Sequence, residues 1–262
     1  MSVVLNINYE LLDWIPYNKL NYTYLSYNCI IIQKIYLNHY NDINWHWLSA
    51  NPAAIELLTA NYNKINWSIL SGNPNAIELL TANPDKINWS ILSSNPNAIE
   101  LLQQNLDKID WEELSTNPNA INLLKENFDK IHWYELSSNP NAIKLLQQNL
   151  DKIDWEELST NAINLLKENF DKIHWTSLSA NPNAIELLES NFNKINWRML
   201  SANPNAIELL KSNTVNINWY KLSSNSTAIE LLTANQDKIN WKQLSLNPSI
   251  FKQSNNHFFY NI

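Results

Sequence analysis

The sequence contains almost no glycine or cysteine, and each shortage excludes a class of protein. Among 262 residues Gly72 is the only glycine, which argues against a glycine-rich loop that binds phosphate. Cys29 is the only cysteine, so the chain cannot form an internal disulfide framework. A single cysteine also fits a reducing compartment.

Long apolar runs and an excess of positive charge are missing as well. No stretch approaches the roughly 18 apolar residues of a membrane-spanning helix, and the first residues lack the pattern of a secretory signal. The net charge is −7, whereas a surface that binds the phosphate backbone needs clustered basic residues. We therefore expect a soluble intracellular protein with no nucleic-acid or membrane partner.

The chain does contain an internal repeat, marked by tryptophan. Its consensus is N-x-x-K-I-(N/D/H)-W-x-x-L-S-x-N-P-N-A-I-x-L-L-x-x-N, and such self-similarity indicates a repeat architecture. Eight of the nine intervals between these tryptophans are 22 residues long and one is 20. The ten tryptophans are Trp45, Trp67, Trp89, Trp111, Trp133, Trp155, Trp175, Trp197, Trp219 and Trp241.

The residues around Trp111 predict a short helix, which we call helix A. Asp110 is suited to the N-cap position, because its carboxylate can accept a hydrogen bond from a first-turn N–H. Glu113, three residues later, completes the pattern of a capping box. Trp111 at the start of this helix is expected to pack into the core.

A second short helix, helix B, is predicted to follow. Asn117 would cap it, and Pro118 would occupy its first position, where the missing N–H costs nothing. The apolar residues from Ala120 to Leu124 cover one side of this helix. Asn127 is expected to end it in the left-handed conformation.

Each of these helices is too short to be stable alone, so stability must come from stacking neighbours. We predict an all-α protein, an α-solenoid of about eleven 22-residue helix-turn-helix repeats in a single repeat domain covering residues 1–262. Residues 1–44 would form an N-terminal cap and a degenerate repeat, residues 45–246 the regular repeats, and residues 247–262 a C-terminal cap. Degenerate units of this kind cover the open core faces of an array.

One repeat is shortened at residues 160–162. Residues 113–124 read ELSTNPNAINLL, whereas residues 157–166 read ELSTNAINLL and lack the Pro-Asn pair. Helix B of the shortened repeat is predicted to start about half a turn late. A local change in the bend of the solenoid is expected between Trp155 and Ile163.

The unit LSxNPNAIxLLxxNxxKIxW resembles short tandem repeats in proteins of giant DNA viruses that infect amoebae. The resemblance covers the chain from about residue 18 to residue 250. It implies a viral helical-repeat protein made in the host cytoplasm, in a family without an assigned chemistry. No catalytic or binding residues come with it.

Motifs for catalysis and metal binding are absent from the sequence. The five histidines are not accompanied by an HExxH motif, a CxxC pair or a Cys–His constellation. The paired carboxylates Glu112 and Glu113 recur as Glu156 and Glu157, and negative charge in a first helical turn is stabilising in its own right. We therefore expect no enzyme activity, no cofactor and no metal.

The two residues after each tryptophan vary between repeats, and such variable positions are where a repeat protein can bind a partner. They begin apolar, become acidic and end basic or mixed. The alternative is drift after duplication, with the apolar members partly buried between neighbours. The candidate partner-binding residues are Trp47, Ile69, Ile91, Glu113, Glu135, Glu157, Met199 and Tyr220.

These observations favour a non-enzymatic protein–protein interaction scaffold that binds a host or viral protein. The alternative is a self-assembling structural or virion component that uses its ends, or the aromatic tail at residues 258–260, to form end-to-end oligomers. A monomer fits the first function and an oligomer fits the second.

Overall fold

The computed structural model describes residues 9–26, 28, 41 and 43–253, which form twenty short α-helices, 3₁₀ turns and two short strands. The helices recur in a regular pattern and pack on their neighbours, which confirms the predicted all-α repeat solenoid. The chain divides into a central part, residues 67–217, and a terminal part made of residues 1–66 and 218–262. No helix among the described residues is long and apolar enough to cross a membrane.

Two helices and a turn make up each repeat, which we name after its tryptophan, so the Trp111 repeat covers residues 106–127. Helix A spans Tyr22–Leu25, Trp45–Ser49, Trp67–Leu70, Trp89–Ser93, Trp111–Thr116, Trp133–Ser138, Trp155–Leu158, Trp175–Ala180, Trp197–Leu200, Trp219–Ser223 and Trp241–Leu244. Helix B spans Ile55–Ala60, Ile77–Thr81, Ile99–Gln103, Ile121–Glu126, Ile143–Gln147, Ile163–Glu168, Ile185–Glu189, Ile207–Lys211 and Ile229–Thr233.

Short 3₁₀ turns and two strands complete the described elements. Turns that precede helix A are Tyr17–Lys19, Tyr62–Lys64, Pro84–Lys86, Leu106–Lys108, Phe128–Lys130, Leu150–Lys152, Phe170–Lys172, Phe192–Lys194, Thr214–Asn216 and Gln236–Lys238. Turns after helix A are Pro52–Ala54, Pro182–Ala184 and Pro248–Ile250. The strands are β1 (Tyr9–Leu11) and β2 (Phe251–Gln253).

The start of helix A depends on two repeats. Asp110 caps it as predicted, because its Oδ1 accepts a hydrogen bond from the Glu113 N–H at 3.3 Å. The capping box is wrong, however: the Asp110 N–H donates to Ser93 Oγ of the preceding repeat at 3.0 Å instead. Ser93 Oγ in turn donates to the Trp89 carbonyl at 2.8 Å. Ser71 and Ser137 accept the same bond from the following repeat, so the serine of the LS pair connects neighbouring repeats within the central part.

Asn117 forms a second connection between repeats and has no exposed surface. Its Nδ2 donates to two carbonyls of the preceding repeat, those of Ser93 at 3.0 Å and Asn95 at 2.9 Å. Its Oδ1 accepts the Asn119 N–H at 3.0 Å. A buried polar group is stabilising only when it is hydrogen-bonded, and this asparagine uses both ends of its amide.

The corner between the helices is longer than the sequence predicted. Asn117 and Pro118 belong to a turn closed by the Ala120 N–H and the Asn117 carbonyl, and helix B begins only at Ile121. In the Trp175 repeat the same corner is a 3₁₀ turn with proline at its start and Asn181 as its cap. The prediction that asparagine and proline start helix B is therefore wrong by three residues.

The prediction of a left-handed asparagine at the end of helix B is wrong. Asn127 has φ −126° and ψ 51°, and no described residue has a positive φ. Its Nδ2 donates to the Leu123 carbonyl at 2.9 Å, and its own carbonyl accepts the Lys130 N–H at 2.9 Å. Because the side chain satisfies the last turn of the helix, no left-handed residue is required.

The fully buried core contains fewer positions of each repeat than the sequence suggested. Leu114, Ala120 and Leu124 have no exposed surface, and their equivalents in the other regular central repeats are also fully buried. Trp111 is only half-buried, like the other nine tryptophans of its position. Lys130 of the next repeat lies over its ring, with Nζ 4.7 Å from the ring centroid. Tryptophan therefore lines the edge of the core and is covered in part by a lysine.

The shortened repeat keeps its helix B. This helix spans Ile163–Glu168, six residues like its copy Ile121–Glu126, so the predicted shortening is wrong. Helix A is the shorter element, with four residues (Trp155–Leu158) against six in Trp111–Thr116. The Ala162 N–H bonds to the Leu158 carbonyl at 3.1 Å, so the corner itself takes up the loss of two residues.

The two chain ends meet inside the terminal part, which the sequence did not predict. Strand β1 pairs antiparallel with β2, and the Leu12 N–H donates to the Ile250 carbonyl at 2.9 Å. The Asn21 N–H donates to Ser245 Oγ at 2.8 Å. Each terminal repeat therefore covers the face of the other. The rest of the expected caps, including residues 258–260, lies outside the described residues.

Candidate interaction surface

The two positions after each tryptophan differ in exposure. In helix A of the central part, the first position is exposed and the second is half-buried. Six candidate residues occupy the second position in the central part, and all of them are half-buried: Ile69, Ile91, Glu113, Glu135, Glu157 and Met199. The first positions of the central repeats form one row and the second positions form another, and we call the two rows together the helix-A surface. Trp47 and Tyr220 belong to the terminal part and are exposed.

Side chains of successive repeats contact each other along this surface. Ser90 Oγ donates to Asp110 Oδ2 at 2.8 Å, and the two residues belong to neighbouring repeats. Tyr134 OH of the Trp133 repeat donates to Glu157 Oε1 of the Trp155 repeat at 2.9 Å. His174 Nδ1 lies 3.6 Å from Glu156 Oε1. Side chains at the helix-A surface therefore connect three pairs of neighbouring repeats, and in Tyr134–Glu157 both residues belong to that surface.

Its apolar end is partly used for packing. Ile91 Cγ2 would lie 3.1 Å from a Cβ added at Gly72. A residue with a side chain at this position would press on Ile91, so the single glycine of the chain makes room for it. Ile91 thus has a structural role in addition to any role in binding, as the drift interpretation anticipated for these isoleucines.

The acidic middle of the surface carries charge that is not neutralised. Burial raises the pKa of Glu135, and the carboxylates of Glu112, Glu157 and Glu113 raise it further, while His132 lowers it. The hydrogen bond to Glu157 and its negative charge raise the pKa of the Tyr134 hydroxyl. Both shifts indicate a surface with a locally negative potential.

In the terminal part the corresponding positions are aromatic and basic. Tyr220 OH accepts a hydrogen bond from Gln243 Nε2 at 2.8 Å. Lys242 Nζ lies 5.0 Å from the centroid of the Tyr24 ring. The Trp47 ring meets the His46 ring edge-on at 5.2 Å. Trp47 and Tyr220, both predicted as partner-binding residues, are therefore exposed, and both belong to the terminal part.

A second exposed row was missed by the sequence argument. It consists of the first residue of the 3₁₀ turn in five successive central repeats, where each side chain is 43 to 50% exposed. Phe128, a member of this row, meets Trp133 edge-on at 5.5 Å. The signal was an apolar residue before D-K or N-K at the repeat spacing. The row comprises Leu106, Phe128, Leu150, Phe170 and Phe192.

The described residues offer no constellation for a metal ion. Nowhere in residues 9–26, 28, 41 and 43–253 do three or more histidine, cysteine or carboxylate side chains come together as ligands. His39, Cys29 and His257 lie outside these residues.

Comparison with known proteins identifies no family for this chain. No protein-family model, curated protein or solved structure matches the chain. The interpretation of the surface therefore depends on its residues alone.

Proposed function

We propose that the chain is a non-enzymatic protein–protein interaction scaffold that binds a protein partner on the helix-A surface of its central part. The observation that supports this most is the contact between variable residues of neighbouring repeats, such as Tyr134 OH to Glu157 Oε1. Variable positions that touch form one extended surface rather than isolated spots. Extended surfaces of stacked repeats are what repeat proteins use for binding.

The backbone beneath this surface is held rigid. Ser115 Oγ accepts the His132 N–H at 3.0 Å, and the buried amides of Asn117 and Asn139 bond to the repeats before them. A surface whose support is fixed loses little conformational entropy on binding. The variable residues can therefore change while the scaffold stays the same.

The partner is expected to carry basic and apolar side chains. Burial and the neighbouring carboxylates raise the pKa of Glu135, and a basic partner would offset the effect of those carboxylates. Ile69 and Ile91 next to them would contact apolar side chains. The proposal includes no catalysis, cofactor, nucleic acid or membrane, and it extends to a viral protein in the host cytoplasm or the virion.

Site-specific photo-crosslinking tests this proposal. A photoreactive residue is placed at Glu112 or Tyr134 on the helix-A surface, and at Glu78 or Glu100 on exposed helix B as matched controls. Adducts formed in cells should appear at the helix-A positions only. They should be lost when Glu113, Glu135 and Glu157 are all changed to Gln. Equal adducts at the control positions, or adducts that survive this triple change, would contradict the proposal.

A self-assembling structural component is the second candidate, because the chain ends are complementary to each other. Light scattering after size-exclusion chromatography separates the two functions. Oligomers that grow with concentration would support assembly, and a monomer at all concentrations would support a scaffold for other proteins.

A further inference from the structure

The junction between the chain ends uses the contacts of an ordinary repeat pair. The Asn21 N–H donates to Ser245 Oγ at 2.8 Å, as the Asp110 N–H donates to Ser93 Oγ at 3.0 Å. Ser245 Oγ donates to its own Trp241 carbonyl at 2.9 Å, as the other serines do. The first repeat therefore takes the place of a repeat that would follow the last one.

The buried asparagine connection is also reproduced. Asn28 Nδ2 donates to the carbonyls of Ser245 at 3.4 Å and Asn247 at 3.2 Å. The carbonyls of Ser26 and Asn28 then accept the Asn51 Nδ2 of the next repeat. The connection thus continues from the last repeat through the first without a change in its chemistry.

The lysine and the strand pair complete the junction. Lys19 Nζ lies 4.6 Å from the Trp241 ring, close to the 4.7 Å between Lys130 and Trp111. Lys252 Nζ lies 2.9 Å from Asp13 Oδ2 and 3.6 Å from Glu10 Oε1. The β1–β2 pair with these ion pairs is an addition that no internal repeat pair has in the described residues.

We infer that this junction also forms between two copies of the chain, with the first repeat of one copy stacked on the last repeat of the other. The partner is a second copy, because the two faces are complementary and each is specific for a repeat of this sequence. Nothing in the contacts requires that the two repeats belong to one chain. Exchange of an identical element between copies is a low-cost route to oligomers.

A chain whose two ends do not meet has polar backbone groups that lose their hydrogen-bond partners at both ends. This favours pairing with a second copy. Without the first repeat, the carbonyls of Ser245 and Asn247 lose a buried donor, and β2 becomes an unpaired edge. Within one chain the ends are held at high effective concentration, so the closed monomer is expected at low concentration. Copies that fold at high concentration should exchange their ends.

The experiment uses two single variants in a Cys29→Ser background, Glu10→Cys and Lys252→Cys. These residues face each other in the strand pair, so a disulfide between them reports the junction. The two variants are unfolded, mixed, refolded together and oxidised, at about 10 μM and at about 1 mM, the latter near the effective concentration of linked sites. Covalent dimers are identified by mass spectrometry.

A disulfide between the two substituted positions is expected at the higher concentration, with a several-fold lower yield at the lower one. The double variant Glu10→Cys/Lys252→Cys, oxidised at low concentration, should form the bond within one chain and then stay monomeric. A mixture of Glu10→Cys with Glu78→Cys is the control for random cross-linking.

Two results would overturn the inference. One is a double variant that closes within the chain while the mixed single variants give no more dimer than the control. The other is a double variant that does not close, since the junction itself would then be absent. Both readouts are independent of the helix-A surface, so this inference and the photo-crosslinking test of the scaffold function can fail separately.

Discussion

The Trp111 repeat and its shortened copy, the Trp155 repeat, have nearly the same sequence but different corners. In the intact corner Asn117 satisfies both ends of its amide. In the shortened corner Asn161 Nδ2 donates to the Ser138 carbonyl at 2.7 Å and the Ser137 carbonyl at 3.4 Å, while its Oδ1 is buried without a hydrogen-bond partner. The loss of two residues changes hydrogen bonds, and helix B keeps its length.

The hydrogen-bond donor that Asn161 Oδ1 lacks can be identified. In the intact corner the N–H of Asn119 bonds to Asn117 Oδ1, and the shortened corner lacks the residue in that place. The Asn161 carbonyl instead accepts the Ile163 N–H at 3.2 Å. Asn181 of the next repeat accordingly reaches the Ser159 carbonyl at 3.2 Å. Two residues at this place, which are Pro-Ala after Asn51 and Ser-Thr after Asn225, are therefore required for a satisfied corner and are dispensable for helix B.

The largest effect is expected from removing the corner asparagines. Asn117→Ala removes the partners of the buried Ser93 carbonyl and the Asn119 N–H and leaves the Asn95 carbonyl with the Ala98 N–H alone, so the free energy of unfolding should fall by about 3 kcal/mol. Asn161→Ala removes an amide whose oxygen already lacks a hydrogen-bond partner, and should cost about 1 kcal/mol. Urea unfolding of both variants measures the difference. Equal losses would show that the two corners are energetically the same.

Changing the length of the corner should have the next largest effect. Deletion of Pro118 and Asn119 would create a second orphaned Oδ1 and remove the bond from Asn119 Nδ2 to the Pro96 carbonyl, at a cost of about 2 kcal/mol. Insertion of Pro-Asn after Asn161 should raise the free energy of unfolding by about 1 kcal/mol. An Ala-Ala insertion at the same place should have nearly the same effect, because the bond needs only a backbone N–H, as the Ala53 N–H to Asn51 Oδ1 at 3.0 Å shows. A destabilising Pro-Asn insertion would contradict the argument.

A smaller difference is expected between two lysines. Lys130 lies over the Trp111 ring, whereas its copy Lys172 lies 3.5 Å from Asp171 Oδ2 and has no such contact with a ring in the described residues. Lys130→Gln should therefore lower the free energy of unfolding by about 0.5 kcal/mol, and Lys172→Gln by less. Thermal unfolding of the two variants, with the fluorescence of tryptophan as the signal, would measure this. The same loss in both would remove the cation–π explanation.

The smallest effect concerns the Trp133 repeat and its copy, in which Ser177 replaces Glu135. Because the folded pKa of Glu135 is raised, folding stability is lost as the pH rises through the window above its ordinary value of 4.5. Glu135→Gln should then be more stable than the original chain at pH 7 by less than about 0.5 kcal/mol. Below pH 4.5 the two should be equal.

Thermal unfolding at pH 7 and at pH 4 would measure the effect of Glu135→Gln. The control Thr176→Ala, in helix A of the copy, removes no ionisable group, and its effect should not depend on pH. An advantage of the Gln variant that persists at pH 4 would show that charge is not its cause.

Much of the fold followed from the sequence, because the repeat itself shows which positions every unit needs. Asp110 as a cap and the buried Leu114 and Leu124 are local features, so a single repeat contains the information for them. Ser93 and the amide of Asn117 bond to another repeat, and such contacts cannot be derived from one unit considered alone. The contact between the chain ends depends on many repeats together, and no short sequence pattern contains that information.

The candidate surface was predicted in part. Ile69, Ile91 and the glutamates were found because they vary, and the structure places them on one face of the central part. The exposed row that includes Phe128 was missed, because only the two positions after each tryptophan were considered as a binding surface. Apolar character alone does not distinguish a helix end from an exposed ridge.

The serine connection gives the stack a polarity. Ser93 Oγ accepts from the following repeat and donates within its own, so the two faces of a repeat are chemically unlike. Two identical faces could not satisfy each other, so copies joined by this contact must pair the last repeat of one copy with the first repeat of another. Any assembly that continues the connection must add every copy in the same orientation, like the subunits of a directional filament.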